Sequence, residues 1–539
     1  MLLEKTIAEK ERRPECIIAS NRGPIEYYVE DDTYKMRLGS GGVVTALLGA
    51  TQRRRITWVA FAMTETDRQA LQANQYPSHE LPSMMADMTL RLLNIPEQTY
   101  HRYYYAISNQ VLWFAQHELL DPIMKTMFTQ QTKEDWEKGY CAANEEMAQA
   151  IIEELKKWGT DIPVILQDYQ LYLVAGLIRE RYPNVRLSHV IYIPWPDARY
   201  LAMLPDYMVQ TIYSSMVKND IIGFQTLNDA RNFLTGAERF LPGVEVCWDT
   251  WNTKKPGALF WQGRYIQICL YPATLSAPYL HSMLHSQAVD NEMRALRSQL
   301  PAHGQLIVRV DRVEPTKNII RGFQAYAHLL HTHPEVRGQV TLLALLVPSR
   351  EELEIYGAYE HEVRSIIAHI NAQYGQADWQ PIVALYGNNR MRALAALQDY
   401  DVLLVNPVID GMNLVVKEGG LLNQRSGVII LSRTVGVHDT LGEHVLSITP
   451  LDRDATADAL FRALTMSREE RALRADRIRN TLLKEDAKHW FALQLEDLSS
   501  QSSSRGDEQH PTHSIKMISQ ALANLPIPSE PGLRKAPFL

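Results

Sequence analysis

Short runs of consecutive apolar residues recur along the chain, and each ends abruptly in a turn or a polar group. They lie at 16–20 (CIIAS), 162–166 (IPVIL), 187–193 (LSHVIYI), 265–270 (YIQICL), 305–310 (QLIVRV), 340–347 (VTLLALLV), 382–386 (IVALY), 401–405 (DVLLV) and 428–432 (VIILS). Their apolarity is continuous rather than alternating, the habit of strands buried on both faces of a parallel sheet. Between them the spacing predicts helices, among them 320–330 and 359–374, and a charged helical stretch over 457–495. The predicted class is therefore α/β, with two doubly wound domains. The boundary falls around 272–301, where a polar helical stretch runs into Leu300-Pro301-Ala302-His303-Gly304 and a new strand–helix alternation begins. After Leu498 the sequence SSQSSSRGDEQHPTHS is polar and of low complexity, which reads as a disordered tail.

The length of 539 residues asks for more than one core. Lys and Arg total 55 against 62 Asp and Glu, a net charge of −7. That balance speaks against a nucleic-acid partner while leaving room for a local basic pocket. The four cysteines (Cys16, Cys141, Cys247, Cys269) are widely separated, which fits free thiols in a reducing compartment. The start, MLLEKTIAEKERRPE, has neither signal-peptide nor anchor character, and no run of 18 apolar residues occurs. The expected location is the cytoplasm, with no membrane partner. The sequence is compatible with a homo-oligomer.

In open α/β sheets ligands gather beyond the carboxyl ends of the strands. That rule selects Asn21-Arg22, Asp168, Pro194-Trp195-Pro196, Arg312 with Lys317, Ser349-Arg350, and Asp410-Gly411-Met412-Asn413. Several familiar signatures fail. Gly39-Ser40-Gly41 lacks the third glycine of a dinucleotide loop, and His117-Glu118 is followed by Asp121 where a zincin has its second His. No metal site is expected. Asp31-Asp32 reads as the cap of a hairpin. Two motifs hold. Arg312 and Lys317 flank a turn containing Pro315, and such a pair can hold a diphosphate leaving group without a metal; a solvated turn with ordinary surface cations is the alternative. Asp410 to Glu418 follows a strand and opens a helix, whose backbone N–H groups can bind phosphate or sugar oxygens; a plain Asp N-cap is the alternative. Tyr103-Tyr104-Tyr105 and Asn109 to Trp113 supply aromatics for sugar stacking or for the core.

Taken in order, these motifs resemble the retaining glycosyltransferase family that contains trehalose-6-phosphate synthase, glucosylglycerol-phosphate synthase and an aminocyclitol pseudo-glycosyltransferase. The matching segments are Ser20-Asn21-Arg22, Gly41-Gly42, Ser108-Asn109 with Val111-Leu112-Trp113, Asp168-Tyr169, Ile193-Pro194-Trp195-Pro196, Gly223-Phe224-Gln225, Arg312 to Lys317, Ser349-Arg350, and Asp410 to Glu418. The resemblance implies a GT-B fold: two Rossmann-like domains facing a cleft. These are an acceptor-side domain over 1–280 and a nucleotide-sugar domain over 281–485. A helix over 486–499 returns to the first domain, and a tail follows over 500–539.

By position it implies that Arg312 and Lys317 grip the donor diphosphate and that Glu418 binds the ribose. Asp410, Gly411, Met412, Asn413 and Leu414 would contact sugar and phosphates, with Arg312, Lys317 and Asp410 at the catalytic centre. Gly41 and Gly42 would close over the donor, and Tyr192 would lie near its sugar. Arg22, Tyr104, Trp113, Asp168, Tyr169, Gln170 and Arg350 match the acceptor site, with Arg22 and Arg350 as a phosphate clamp. The implied activity moves glucose from a nucleotide-glucose to glucose 6-phosphate, giving trehalose 6-phosphate, without metal or other cofactor. The partners are a nucleotide-sugar donor and a sugar-phosphate acceptor. UDP, GDP and ADP share the diphosphate and ribose contacts, so the base stays open. Departures from the family pattern are Gln167 and Gln170 in place of His, Tyr192 in place of His, and Asn318 in place of Gly. They keep glucosylglycerol-phosphate synthesis, pseudo-glycosyl coupling and a silent sugar-phosphate sensor as alternatives. No carboxylate nucleophile is identified, so retention is expected by front-face substitution.

Overall fold

The computed structural model describes residues 13–39, 41–72, 85, 87–121, 126–249, 252–301 and 303–501. The predicted tail beyond 501 and the first twelve residues lie outside the described residues. Among the described residues the chain builds two large sheets and one hairpin. The first sheet has nine strands in the spatial order Met88–Leu93, Ile56–Phe61, Cys16–Arg22, Val164–Gln167, Leu187–Val190, Ile221–Phe224, Arg264–Leu270, Gly257–Trp261 and Glu245–Trp248. The second has six, in the order Ile382–Tyr386, Val340–Val347, Gln305–Arg312, Val402–Val405, Val428–Ser432 and Leu446–Ile448, all parallel.

Continuous apolarity has a direct structural cause. In the Cys16–Arg22 strand, Ile17 and Ala19 enter one apolar cluster while Cys16 and Ile18 enter another on the opposite face. In the second sheet Ile307 and Leu342 enter a third cluster, whereas Val308 and Leu343 turn to the second. Each of these strands lies between two layers of helices, so no position along it is free to be polar.

The first sheet departs from parallel pairing at one edge. Gly257–Trp261 pairs antiparallel with both Arg264–Leu270 and Glu245–Trp248. This edge meanders locally and needs no crossover helix between its strands. The 187–193 run also ends early as a strand, at Val190. Ile191 N–H still reaches Gly223 O, but the Tyr192 N–H turns to Asp168 Oδ1 at 3.2 Å, and Pro194 and Pro196 have no N–H to offer. Asp31 and Asp32 form the turn of the Ile25–Glu30/Thr33–Leu38 hairpin, both with positive φ.

Helix Ala487–Ser500 returns to the first sheet. Trp490 Nε1 donates to Tyr271 O at 3.2 Å, and Asp497 accepts from the Tyr271 hydroxyl at 2.9 Å and pairs with Lys255 at 2.6 Å. The two sheets also meet directly across their carboxyl ends. Leu353 and Tyr356, from the second, are buried in the first sheet's apolar cluster, and the Tyr105 hydroxyl donates to Glu352 Oε1 at 3.0 Å.

Candidate active site

The residues that follow the strands meet between the two sheets. Four of them hold a left-handed backbone without being glycine: Asp168 (φ 69°), Asn318 (φ 56°), Arg350 (φ 52°) and Asn413 (φ 48°). Such conformations cost about 1–3 kcal/mol each and persist where surrounding contacts over-determine them. Asn318 shows how: its Nδ2 donates to the carbonyls of Asn406 (2.9 Å) and Pro450 (2.7 Å), so the side chain ties down a turn that glycine would leave loose.

The cation pair is buried in partners rather than standing in solvent. Lys317 Nζ lies 2.5 Å from Asp410 Oδ2, and Asn413 Nδ2 donates to the same oxygen at 2.9 Å. Burial works to raise the Asp410 carboxyl, but Lys317 outweighs it and holds the group below its ordinary value. Arg312 pairs with Glu314 at 3.0 Å, and Arg350 takes the other oxygen of the same carboxylate at 3.0 Å. Glu314 is fully buried, yet its two arginines keep it ionised below the usual carboxylate range. Arg312 keeps 40% of its side chain exposed, so it can offer further N–H groups to an anion; Arg350 exposes 6%. The two arginines share one aromatic platform, with guanidinium carbons 5.1 Å (Arg312) and 4.5 Å (Arg350) from the Trp113 ring. Trp113 in turn lies against His117 at 4.1 Å.

Among the residues expected at the acceptor site, Arg350 Nη1 also donates to the Tyr356 hydroxyl at 2.6 Å. Tyr104 has Arg350, Arg22 and Arg312 as charged neighbours; burial pushes its phenol up, and the three cations together hold it below its ordinary value. Arg22 and Arg350, from opposite domains, therefore act on one phenol. Arg22 itself is ion-paired with Glu26. Burial pushes the Asp168 carboxyl up to about 7, against the N–H groups of Tyr192 and Tyr169 and the charges of Arg312 and Arg350. Tyr169 is core-buried with its hydroxyl donating to Asn109 Oδ1 at 2.7 Å, and Gln170 is buried with its carbonyl held by Asn144 Nδ2 at 3.0 Å.

The structure redistributes other expected roles. The helix after Asp410 starts at Leu414 and is capped by Asn413, not by Asp410, which is spent on Lys317. Glu418 is engaged bidentately by Arg390 at 2.6 and 2.8 Å, and Lys417 points away to Glu485 at 2.6 Å. The Tyr192 hydroxyl donates to Gln167 Oε1 at 2.6 Å rather than standing open. Gly41 (φ +149°) begins the Gly42–Ala50 helix, and a Cβ on Gly42 would approach Leu414 at 3.1 Å. A Cβ on Gly411 would fall 2.1 Å from Tyr192 O, so only glycine lets the two domains touch there. Met412 is buried beside it.

Sequence reasoning missed Glu314, Arg390, Tyr356 and the placement of His117. Glu314 lies inside the quoted Arg312–Lys317 turn, and Arg390 follows the 382–386 run, so the strand-end rule applied to every strand reaches both. Burial lowers the His117 imidazole to about 4; its Nδ1 bonds Trp113 O at 2.8 Å, which makes it a neutral prop for Trp113. Among the described residues no three His, Cys, Asp or Glu side chains converge as a metal-ligand set.

Two Rossmann-like sheets facing a cleft whose strand ends carry paired cations define the GT-B class of fold. Within that class the chain belongs to glycosyltransferase family 20, whose model matches residues 14–500. It is 29% identical to the bifunctional trehalose-6-phosphate synthase/phosphatase of Thermoproteus tenax over 486 residues, 88% of this chain; it spans 62% of that longer protein. It is 30% identical to the trehalose-6-phosphate synthase of Citrobacter koseri, covering 85% of this chain and 91% of the relative. A solved E. coli structure described as trehalose-6-phosphate bound with UDP-2-fluoro glucose superposes with a TM-score of 0.74 at 27% identity, over 90% of this chain and 98% of that one.

Proposed function

We propose that this chain transfers glucose from a nucleotide-glucose donor to glucose 6-phosphate with retention, forming trehalose 6-phosphate. The observation that carries this is the charge layout around Trp113. Lys317, paired with Asp410, and the half-exposed Arg312 would take the donor diphosphate, while Arg350 and Arg22, which meet Arg312 around the Tyr104 phenol, would take the acceptor phosphate. Two anionic groups, one on each side of a sugar, match that layout. The names of the relatives and the UDP-sugar on the E. coli protein support glucose and uridine. Arg312 and Lys317 would neutralise the departing diphosphate, Glu418 held by Arg390 would take the ribose hydroxyls, and the leaving phosphate would receive the acceptor's proton on the same face. A matrix of nucleotide-sugar donors against glucose 6-phosphate, glycerol 3-phosphate and an aminocyclitol phosphate, with product masses, tests the reading; a product lacking two joined hexoses would overturn it.

Two expected outcomes follow directly. Because two side-chain cations serve the diphosphate, turnover should survive a chelator; complete loss restored by magnesium would sink the scheme. The second concerns Asp168, whose carboxyl titrates at about 7. It is neutral below that pH, and the carboxylate accepts a hydrogen bond from an acceptor hydroxyl more strongly than the protonated acid does. The acceptor kcat/KM should therefore rise with pH below 7, by at most about tenfold per pH unit, and level off above it. Asp168→Asn should flatten that limb relative to wild type; the acceptor phosphate's own titration is common to both proteins and cancels in the comparison. An identical profile in both would remove Asp168 from the acceptor site. The free thiols, with Cys16 and Cys269 buried, fit the proposed cytoplasmic location.

A further inference from the structure

Gln167 is the last residue of the Val164–Gln167 strand and immediately precedes Asp168. It is 1% exposed. Its carbonyl oxygen accepts the Tyr192 hydroxyl at 2.6 Å, and Tyr192 is itself buried. The amide nitrogen, Nε2, is buried and has no partner among the described residues. An amide has one oxygen and two N–H groups. With the oxygen engaged by Tyr192, the group has a fixed orientation, and its N–H pair is the part left wholly unengaged. A buried donor left unmatched is costly, so the amide calls for an acceptor from outside the protein, a water or a ligand oxygen.

The surroundings say which one. The Tyr192 carbonyl abuts Gly411 of the second domain, so closely that no Cβ fits between them. Tyr192 shares one apolar cluster with Met412, with Val44 and Leu47 of the Gly42–Ala50 helix, and with Trp490 of the returning helix. The Tyr192 backbone thus stands against the Gly411 turn, and Gly42 approaches Leu414 just after that turn. Lys317 pairs with Asp410 at that same turn, so an anion has its own cations there. An uncharged amide with its N–H pair unengaged suits a neutral oxygen, which on a bound nucleotide-sugar means a sugar hydroxyl.

We infer that Gln167 binds a hydroxyl of the donor sugar through Nε2, and that Tyr192 is the positioning residue that fixes the amide for this task. The inference rests on the donor reading of the cleft given above. It makes donor recognition at this point independent of a titrating side chain, since neither an amide nor a deeply buried phenol changes charge near neutral pH.

The test compares UDP-glucose with UDP by calorimetry, so that only the sugar-dependent part of affinity is read. Gln167→Leu should weaken UDP-glucose about tenfold and leave UDP within about twofold, the loss of one hydrogen bond to the sugar. Tyr192→Phe removes only the hydroxyl and keeps the ring in its cluster. It should lower the UDP-glucose preference by a smaller factor, about threefold, because the amide is then free to rotate. An unchanged ratio of the two affinities in both variants would overturn the inference and leave Gln167–Tyr192 as a packing pair. A wild-type protein that binds neither ligand, nor any other nucleotide-glucose, would overturn the donor reading itself, and this inference with it.

Discussion

Lys317→Ala is expected to lower turnover at saturating donor by at least about 10²-fold. A fixed donor on developing negative charge typically supplies that much, and Lys317 is held for the task by Asp410 at 2.5 Å. The variant also has a structural consequence, which corrects the expectation of a loosely held turn residue. Lys317 and Asp410 are both largely buried, and removing the ammonium strands a carboxylate. Breaking a buried pair in this way costs about 3–5 kcal/mol. The sign with pH is definite. The Asp410 pKa is depressed in the folded protein, so its pairing stabilises above about pH 4, the unfolded carboxyl value, and that contribution fades as pH falls through the folded value. In Lys317→Ala the depression is removed. The double variant Lys317→Ala with Asp410→Asn separates the two effects. Its melting temperature should return toward wild type while turnover stays well below that of Asp410→Asn alone, which keeps Lys317. Turnover that recovers together with the melting temperature would reduce Lys317 to a structural partner.

Arg350→Ala is expected to raise the acceptor KM by about 10- to 150-fold, the loss of one hydrogen bond between charged groups. Donor binding without acceptor should change little. The reason lies in Glu314, which divides its oxygens between Arg312 and Arg350. Without Arg350 the carboxylate still has Arg312 and the Thr316 hydroxyl at 3.1 Å, so the donor-side cation stays anchored. Arg350→Lys is not expected to rescue. Arg350 serves Glu314 and the Tyr356 hydroxyl from one planar group while lying over Trp113, and an ammonium has no such plane. If Arg350→Ala abolished donor binding and left the acceptor KM unchanged, the acceptor assignment would fail, and the sugar-phosphate reading with it.

The legibility of this chain differs from element to element. The 340–347 and 428–432 runs coincide with observed strands because burial on both faces leaves its mark at nearly every position, and 382–386 coincides with an edge strand of which only Ile382 is fully buried. Ile56–Phe61 is just as buried, but Thr57 and Trp58 break its apolar run. Ile221–Phe224 contains a glycine that weakens the strand signal, although in place a Cβ there would lie 2.4 Å from the Tyr271 ring. The Glu245–Trp248 edge is half exposed and carries no periodic signal at all.

By itself the sequence determined what is local: the strand runs, the turns that end them, and thus the set of residues standing at the carboxyl ends. Arg22, Asp168, Arg312, Lys317, Arg350 and Asp410 were all legible in this way, because backbone burial and the side-chain type that follows it are properties of a few adjacent residues. The tertiary structure alone decided the pairing of those residues. Glu314 divides itself between two arginines, Arg390 takes Glu418, and Lys417 turns away to Glu485. Tyr192 spends its hydroxyl on Gln167, 25 positions earlier, and Lys317 meets Asp410, 93 positions later. Which carboxylate neutralises which cation depends on distances of a few ångströms between separate elements, since charge pairing in a buried site falls off steeply with separation and desolvation. Those distances are set by how two sheets and their helices pack, and no spacing along the chain encodes them.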